Sequence, residues 1–128
     1  QKEQEVNWKN GKKDGVAILW KPSGMLDQFQ SWKNNKKHGE WKIWHENGRL
    51  AVTSNYNNGI KDGPWKFWYN NGQIEEISEW KEDRLLSIKC WKPDGNECPV
   101  SYVKNGKGIK VVYNNDGTEQ RRLQYNDQ

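Results

Sequence analysis

Few residues in this chain could do covalent or acid–base chemistry, and their neighbours limit what each can do. There are two histidines, His38 and His45. A catalytic triad needs a nucleophile, a base and an orienting acid within hydrogen-bond reach. His38 shares its place in a repeating unit with Asp14 and Asp62, and His45 shares its place with Lys21 and Tyr69. Positions that exchange histidine for such different side chains read as exposed polar sites. Paired carboxylates occur at Glu75-Glu76 and Glu82-Asp83. Adjacent residues in a strand point to opposite faces, so Glu75-Glu76 is poor geometry for two acids flanking a glycosidic bond. Gly-x-Ser-x-Gly, His-Glu-x-x-His and a phosphate-binding glycine loop before a helix are all missing from the sequence. The expectation is a protein that is not an enzyme, with no catalytic residue, cofactor or metal to assign.

Cys90 and Cys98 flank the Asp94-Gly95 turn. Positions eight apart across a hairpin can face each other, so they read either as a disulfide stapling two strands or as two buried thiols. A metal site would need further His or Cys ligands nearby. The pair favours a periplasmic, lipoprotein or secreted location over the cytoplasm. The start at Gln1 reads as a mature or trimmed form.

The remaining chemistry is non-covalent and belongs to the tryptophans. Trp20, Trp44 and Trp68 recur at 24-residue spacing, and Trp41 and Trp65 repeat at the same interval. These five are the candidate partner-binding anchors, because Trp and Tyr dominate binding hot spots. Trp8, Trp32, Tyr56 and Trp80, also 24 apart, read instead as a packing column.

Mean hydropathy is −1.27 and 32% of residues are hydrophobic, values that alone would suit a disordered chain. The nine Trp, five Tyr and two Phe argue for a fold. Each large aromatic buries roughly 150–250 Å² and so replaces missing aliphatic core. The net charge of +4 comes from interspersed residues of both signs, which reads as a solvated surface. Nucleic acid is an unlikely partner on this reading, since it would need basic residues gathered on one face.

The elements that position these residues follow from the 24-residue period. Gly15, Gly39 and Gly63 form one column, and Gly24, Gly48 and Gly72 another. Turn signals such as Asn10-Gly11, Ser23-Gly24, Asn34-Asn35 and Asn47-Gly48 alternate at intervals of 13 and 11 residues. Two turns per unit give one β-hairpin per repeat, and Asn-Gly or Asp-Gly pairs suit type I′ turns. The predicted fold is all-β: a single elongated, twisted antiparallel meander of about five hairpin repeats, in about ten strands. Alternation places aromatic residues on both faces. Residues 1–128 read as one domain, with the best repeats at 8–83 and a diverged repeat plus C-terminal cap at 84–128.

The string Tyr56-Asn-Asn-Gly59-Ile-Lys-Asp-Gly63-Pro-Trp65-Lys-Phe-Trp68-Tyr-Asn-Asn-Gly72-Gln-Ile74 resembles the MORN-repeat variant of the bacterial YwqK antitoxin family. The segment Cys90-Trp-Lys-Pro-Asp-Gly95-Asn-Glu-Cys98 and the later Tyr113-Asn-Asn-Asp-Gly117 resemble that group's closing segment. The resemblance covers about residues 8–125. It implies a bacterial protein-binding module, antitoxin- or immunity-like, or an assembly scaffold that occludes a partner with one face of its sheet. The alternative expectation is an envelope glycan- or peptidoglycan-binding module using exposed Trp residues, and peripheral contact with anionic lipid is a third.

Overall fold

The computed structural model describes residues 4–98 and 102–126. It is a single open antiparallel sheet of 13 strands in meander order, and no helix occurs among the described residues. The first seven strands are β1 (Gln4–Lys9), β2 (Lys12–Trp20), β3 (Leu26–Lys33), β4 (Lys36–Lys37), β5 (Gly39–Trp44), β6 (Leu50–Asn57) and β7 (Ile60–Lys61). The other six are β8 (Gly63–Trp68), β9 (Ile74–Lys81), β10 (Arg84–Cys90), β11 (Tyr102–Lys104), β12 (Lys107–Tyr113) and β13 (Glu119–Tyr125). The count exceeds the expected ten partly because two strands are interrupted: β4 and β7 are two-residue pieces separated from β5 and β8 by His38 and Asp62.

The two long edges of the sheet use different turns. At one edge the central pairs Asn10-Gly11, Asn34-Asn35, Asn58-Gly59, Glu82-Asp83 and Asn105-Gly106 all have positive φ at both positions. That is the type I′ geometry, whose twist matches that of the flanking strands. At the other edge only the glycine is left-handed, at Gly24, Gly48, Gly72, Gly95 and Gly117. There each glycine N–H donates to the carbonyl three residues earlier, as from Gly48 to His45 at 3.0 Å. These are wider turns built on a non-primed bend that ends in a left-handed glycine. The type I′ expectation therefore fails at this edge, and the alternation of tight and wide turns explains the alternating 11- and 13-residue spacing.

Gly39 and Gly63 do a different job. Their φ values are +103° and +110°, and a Cβ would stand 3.2 Å from Ser31 Cβ and 3.3 Å from Asn55 Cβ respectively. A side chain is thus opposed both by the backbone and by the neighbouring strand.

One face of the sheet is packed. Trp32, Trp41, Tyr56, Trp65 and Trp80 form a continuous ladder, with ring centroids 5.3–6.1 Å apart and mostly edge-to-face. Trp41 sits opposite Ser54, and Trp65 opposite Ser78, so a small residue makes room for each large ring. In the first repeat the pair is Ala17 and Gln30, the same exchange of bulk in reverse. From β10 onward the ladder hands over to an aliphatic cluster of Leu85, Ile88, Cys90, Cys98 and Val103, against which Trp80, Tyr113 and Tyr125 pack. Leu85 stands 24 residues after Lys61, so a buried apolar side chain takes over a lysine position. The C-terminal strands β10–β13 continue the same sheet.

Candidate partner-binding surface

The two families of tryptophan have separate fates. Trp41 and Trp65 are each only 8% exposed, within the ladder. Their indole N–H groups donate to Ser31 O at 3.0 Å and Asn55 O at 3.2 Å. Trp32 donates to Gln30 Oε1 and Trp80 to Ser78 Oγ. The expectation that Trp41 and Trp65 are exposed anchors is therefore corrected: they are core, because a single-layer sheet buries its rings against one another along the face. Trp8 is corrected the other way. At 59% exposure on the edge strand β1, it is outside the packed column.

Trp20, Trp44 and Trp68 lie at the wide-turn ends of β2, β5 and β8, all half-buried. Each is paired across its hairpin with an aliphatic residue: Leu26, Leu50 and Ile74 in turn. Among the described residues none of their indole N–H groups meets a protein acceptor, and no buried side-chain polar atom is left unsatisfied. Those N–H groups are therefore solvent-facing and open to an acceptor. A shallow groove of about 350 Å³ runs between repeats here, lined by Arg49, Leu50, Trp68 and Gly72. Met25 and Leu26, 38% and 40% exposed, extend the apolar surface one repeat back.

The wide-turn edge is held by hydrogen bonds from one repeat to the next. Lys21 Nζ donates to His45 O at 2.9 Å, and Tyr69 Oη donates to Trp91 O at 2.7 Å. His45 Nε2 lies 2.7 Å from Trp68 O; a carbonyl only accepts, so Nε2 carries the hydrogen. Asn47 and Asn71 repeat the pattern toward Asn70 O and Pro93 O. The reading of the His45 column as merely exposed is thus corrected: lysine, histidine and tyrosine share the position because each reaches the next repeat's backbone. His38 serves the tight-turn edge, its Nδ1 accepting from Asn58 N at 3.2 Å.

A polar cluster that sequence reasoning missed lies under the C-terminal strands. Glu76 is 3% exposed and pairs with Lys110 Nζ at 2.6 Å. The lysine stays cationic: burial works against its charge, but the Glu76 carboxylate overcomes this and raises its pKa. Burial raises the pKa of neighbouring Glu75, and the charge of Glu76 adds to the effect. The signal available in the sequence was only a glutamate at a core-facing position. Its partner, 34 residues away and beyond the regular repeats, could not be read from the period.

Cys90 and Cys98 are buried, at 4% and 5% exposure, and the structure carries both as thiols. Cys98 N donates to Cys90 O at 3.0 Å, beside the isolated bridge between Trp91 and Glu97, which places the two cysteines opposite each other across the Asp94-Gly95 turn. Among the described residues no group of three His, Cys, Asp or Glu is placed to hold a metal ion.

The MORN repeat variant matches the chain at residues 37–58 and 61–82, two successive hairpins of the ladder. The matched segments are similar to MORN-variant repeats, a kind of repeat commonly found in protein- or membrane-binding modules. No curated protein matches the chain.

Proposed function

We propose that this chain is a non-enzymatic binding module that docks a protein partner along its wide-turn edge, in the manner of an antitoxin, immunity protein or scaffold. The observation that carries the reading is the row Trp20, Trp44 and Trp68: half-buried rings at one spacing, with indole donors that meet no acceptor among the described residues. Such a row offers apolar contact plus one directional hydrogen bond per repeat, the combination that makes Trp an interface anchor. Trp41 and Trp65 are excluded from the contact because the ladder uses them. The test is capture of partner from extracts of the native organism, comparing the wild-type domain with Trp44→Ala/Trp68→Ala. One stoichiometric protein retained by wild type and lost by the variant, with unchanged far-UV spectrum, is the expected result. Equal capture by both proteins removes this row from the interface.

The alternative occupant of the row is an envelope glycan such as peptidoglycan, favoured by half-exposed rings beside polar Asn-Gly turns. Soluble cell-wall fragments would then quench Trp fluorescence saturably in wild type but not in Trp44→Ala/Trp68→Ala.

A further inference from the structure

The sheet separates charge between its two long edges in a way the linear sequence conceals. The five tight turns with their flanking residues (9–13, 33–37, 57–61, 81–85 and 104–108) hold 11 of the 21 basic residues and only two of the 17 acidic ones. The five wide turns (20–26, 44–50, 68–74, 91–97 and 113–119) hold three basic and five acidic residues. Asp14 and Asp62 lie just inside the basic edge and temper it without reversing its sign.

Within this edge three lysines are held on the packed face. Lys13 Nζ lies 4.5 Å from the Trp32 ring centroid. Lys37 Nζ lies between Trp41 at 4.7 Å and Tyr56 at 4.9 Å. Lys61 Nζ lies between Trp65 at 5.0 Å and Trp80 at 4.2 Å. Their backbone is fixed too, since each carbonyl accepts from the next repeat's turn: Asn35 N to Lys13 O, Gly59 N to Lys37 O and Asp83 N to Lys61 O. Among the described residues none of these three ammonium groups has a carboxylate partner. They therefore form a preorganised row of unneutralised cations, one per repeat. One repeat is two strands, so they stand roughly 10 Å apart.

We propose that the tight-turn edge binds a linear acidic polysaccharide carrying one carboxylate per disaccharide, seated with successive carboxylates on Lys13, Lys37 and Lys61. Three features select this class. The lysines held over the ladder come one per repeat at even spacing, whereas duplex nucleic acid carries one charge per about 1.7 Å of axis. An extended β-linked sugar chain advances by nearly one strand spacing per sugar, so alternate sugars keep step with the repeat. The ladder rings pack edge-to-face, Trp41 and Trp65 are 8% exposed, and the half-buried Trp32, Tyr56 and Trp80 each carry a lysine ammonium over the ring, an arrangement that disfavours the flat base stacking a single-stranded nucleic acid uses. This site lies at the opposite edge from Trp44 and Trp68 and does not depend on the docking reading.

The probe is a polymer of alternating glucuronic acid and N-acetylglucosamine, titrated into the domain with Trp fluorescence as readout. Neutral dextran, poly(dT) and vesicles with anionic headgroups are run beside it. Saturable binding that weakens with salt is expected, lost for oligomers shorter than six sugars. Lys13→Gln/Lys37→Gln/Lys61→Gln should weaken it at least about tenfold, as three lost ion pairs imply. Lys42→Gln/Lys66→Gln/Lys89→Gln removes the same charge from the other face and should leave it nearly unchanged, as should Trp44→Ala/Trp68→Ala. Because the ladder lysines also cover rings, Lys13→Arg/Lys37→Arg/Lys61→Arg tests the charge with packing retained, and should bind like wild type. Equal losses in the two glutamine triples, tighter binding of poly(dT) or vesicles, or loss in the arginine triple with an unchanged melt would overturn the proposal.

Discussion

Lys110 and Glu76 show how much one buried pair can weigh in a chain with so little aliphatic core. Removing one partner of a buried ion pair strands the other charge, at a cost of about 3–5 kcal/mol. Lys110→Ala should therefore lower the denaturant midpoint sharply, and Glu76→Leu/Lys110→Met should recover most of the loss. An alanine variant as stable as wild type would mean that Glu76 reaches water. Because the folded pKa of Lys110 is raised above 10.5, its stabilisation is complete below that pH and lost as pH climbs through the folded value. Glu75 shifts in the same sense, in a lower pH window. Its folded pKa lies above 4.5, so the folded state binds the proton more tightly and stability falls as pH rises through the window above 4.5. Glu75→Gln should raise the melting temperature at neutral pH, and the gain should vanish below pH 4.5. At this scale the sequence was least legible. Two glutamates side by side signal a possible catalytic pair equally well whether one is buried or both are wet, and the cation that decides the matter comes from outside the repeat.

Hairpins and turns were far more legible, because glycine and asparagine report backbone geometry directly. The number of turns per repeat and the meander both followed from the spacing of the turn signals. The wide turns did not, since Asn47-Gly48 has the composition of a type I′ pair yet only Gly48 is left-handed. The distinction lies in the two residues before it, which extend the loop. The glycine columns give a graded test. Gly11 has φ +76° with nothing within 4 Å of a built Cβ, whereas Gly39 has φ +103° and a Cβ contact at 3.2 Å. Gly11→Ala should cost about 1 kcal/mol from backbone strain alone, and Gly39→Ala measurably more. Equal costs in chemical denaturation would show that Ser31 moves aside freely. Glu82 and Asp83 hold φ of 50° and 69° in the remaining tight turn of the regular repeats. Glu82→Asn/Asp83→Gly should stabilise the domain by about 0.5–1 kcal/mol, seen as a higher melting temperature.

Over the whole molecule, a single layer must make its core within one face, and that decides which tryptophans are structural. The sequence placed aromatics on both faces but could not say which would be covered. Trp41 and Trp65 look as available as Trp44 and Trp68 until Ser54 and Ser78 are seen opposite them and the lysines above them. Charge segregation was invisible for a similar reason: residues 24 apart become neighbours along an edge, while the chain between them visits the other edge. A sheet with a basic tight-turn edge, an acidic wide-turn edge and one aromatic face has three distinct surfaces to offer. The division of labour among its tryptophans underlies the whole account. Thermal unfolding of Trp41→Ala/Trp65→Ala beside Trp44→Ala/Trp68→Ala tests it most directly. Truncating a buried aromatic costs about 3–5 kcal/mol, so the first variant should be unfolded or melt far below wild type, while the second keeps its melting temperature within a few degrees. A folded Trp41→Ala/Trp65→Ala, or collapse of Trp44→Ala/Trp68→Ala, would contradict the assignment of core and docking row.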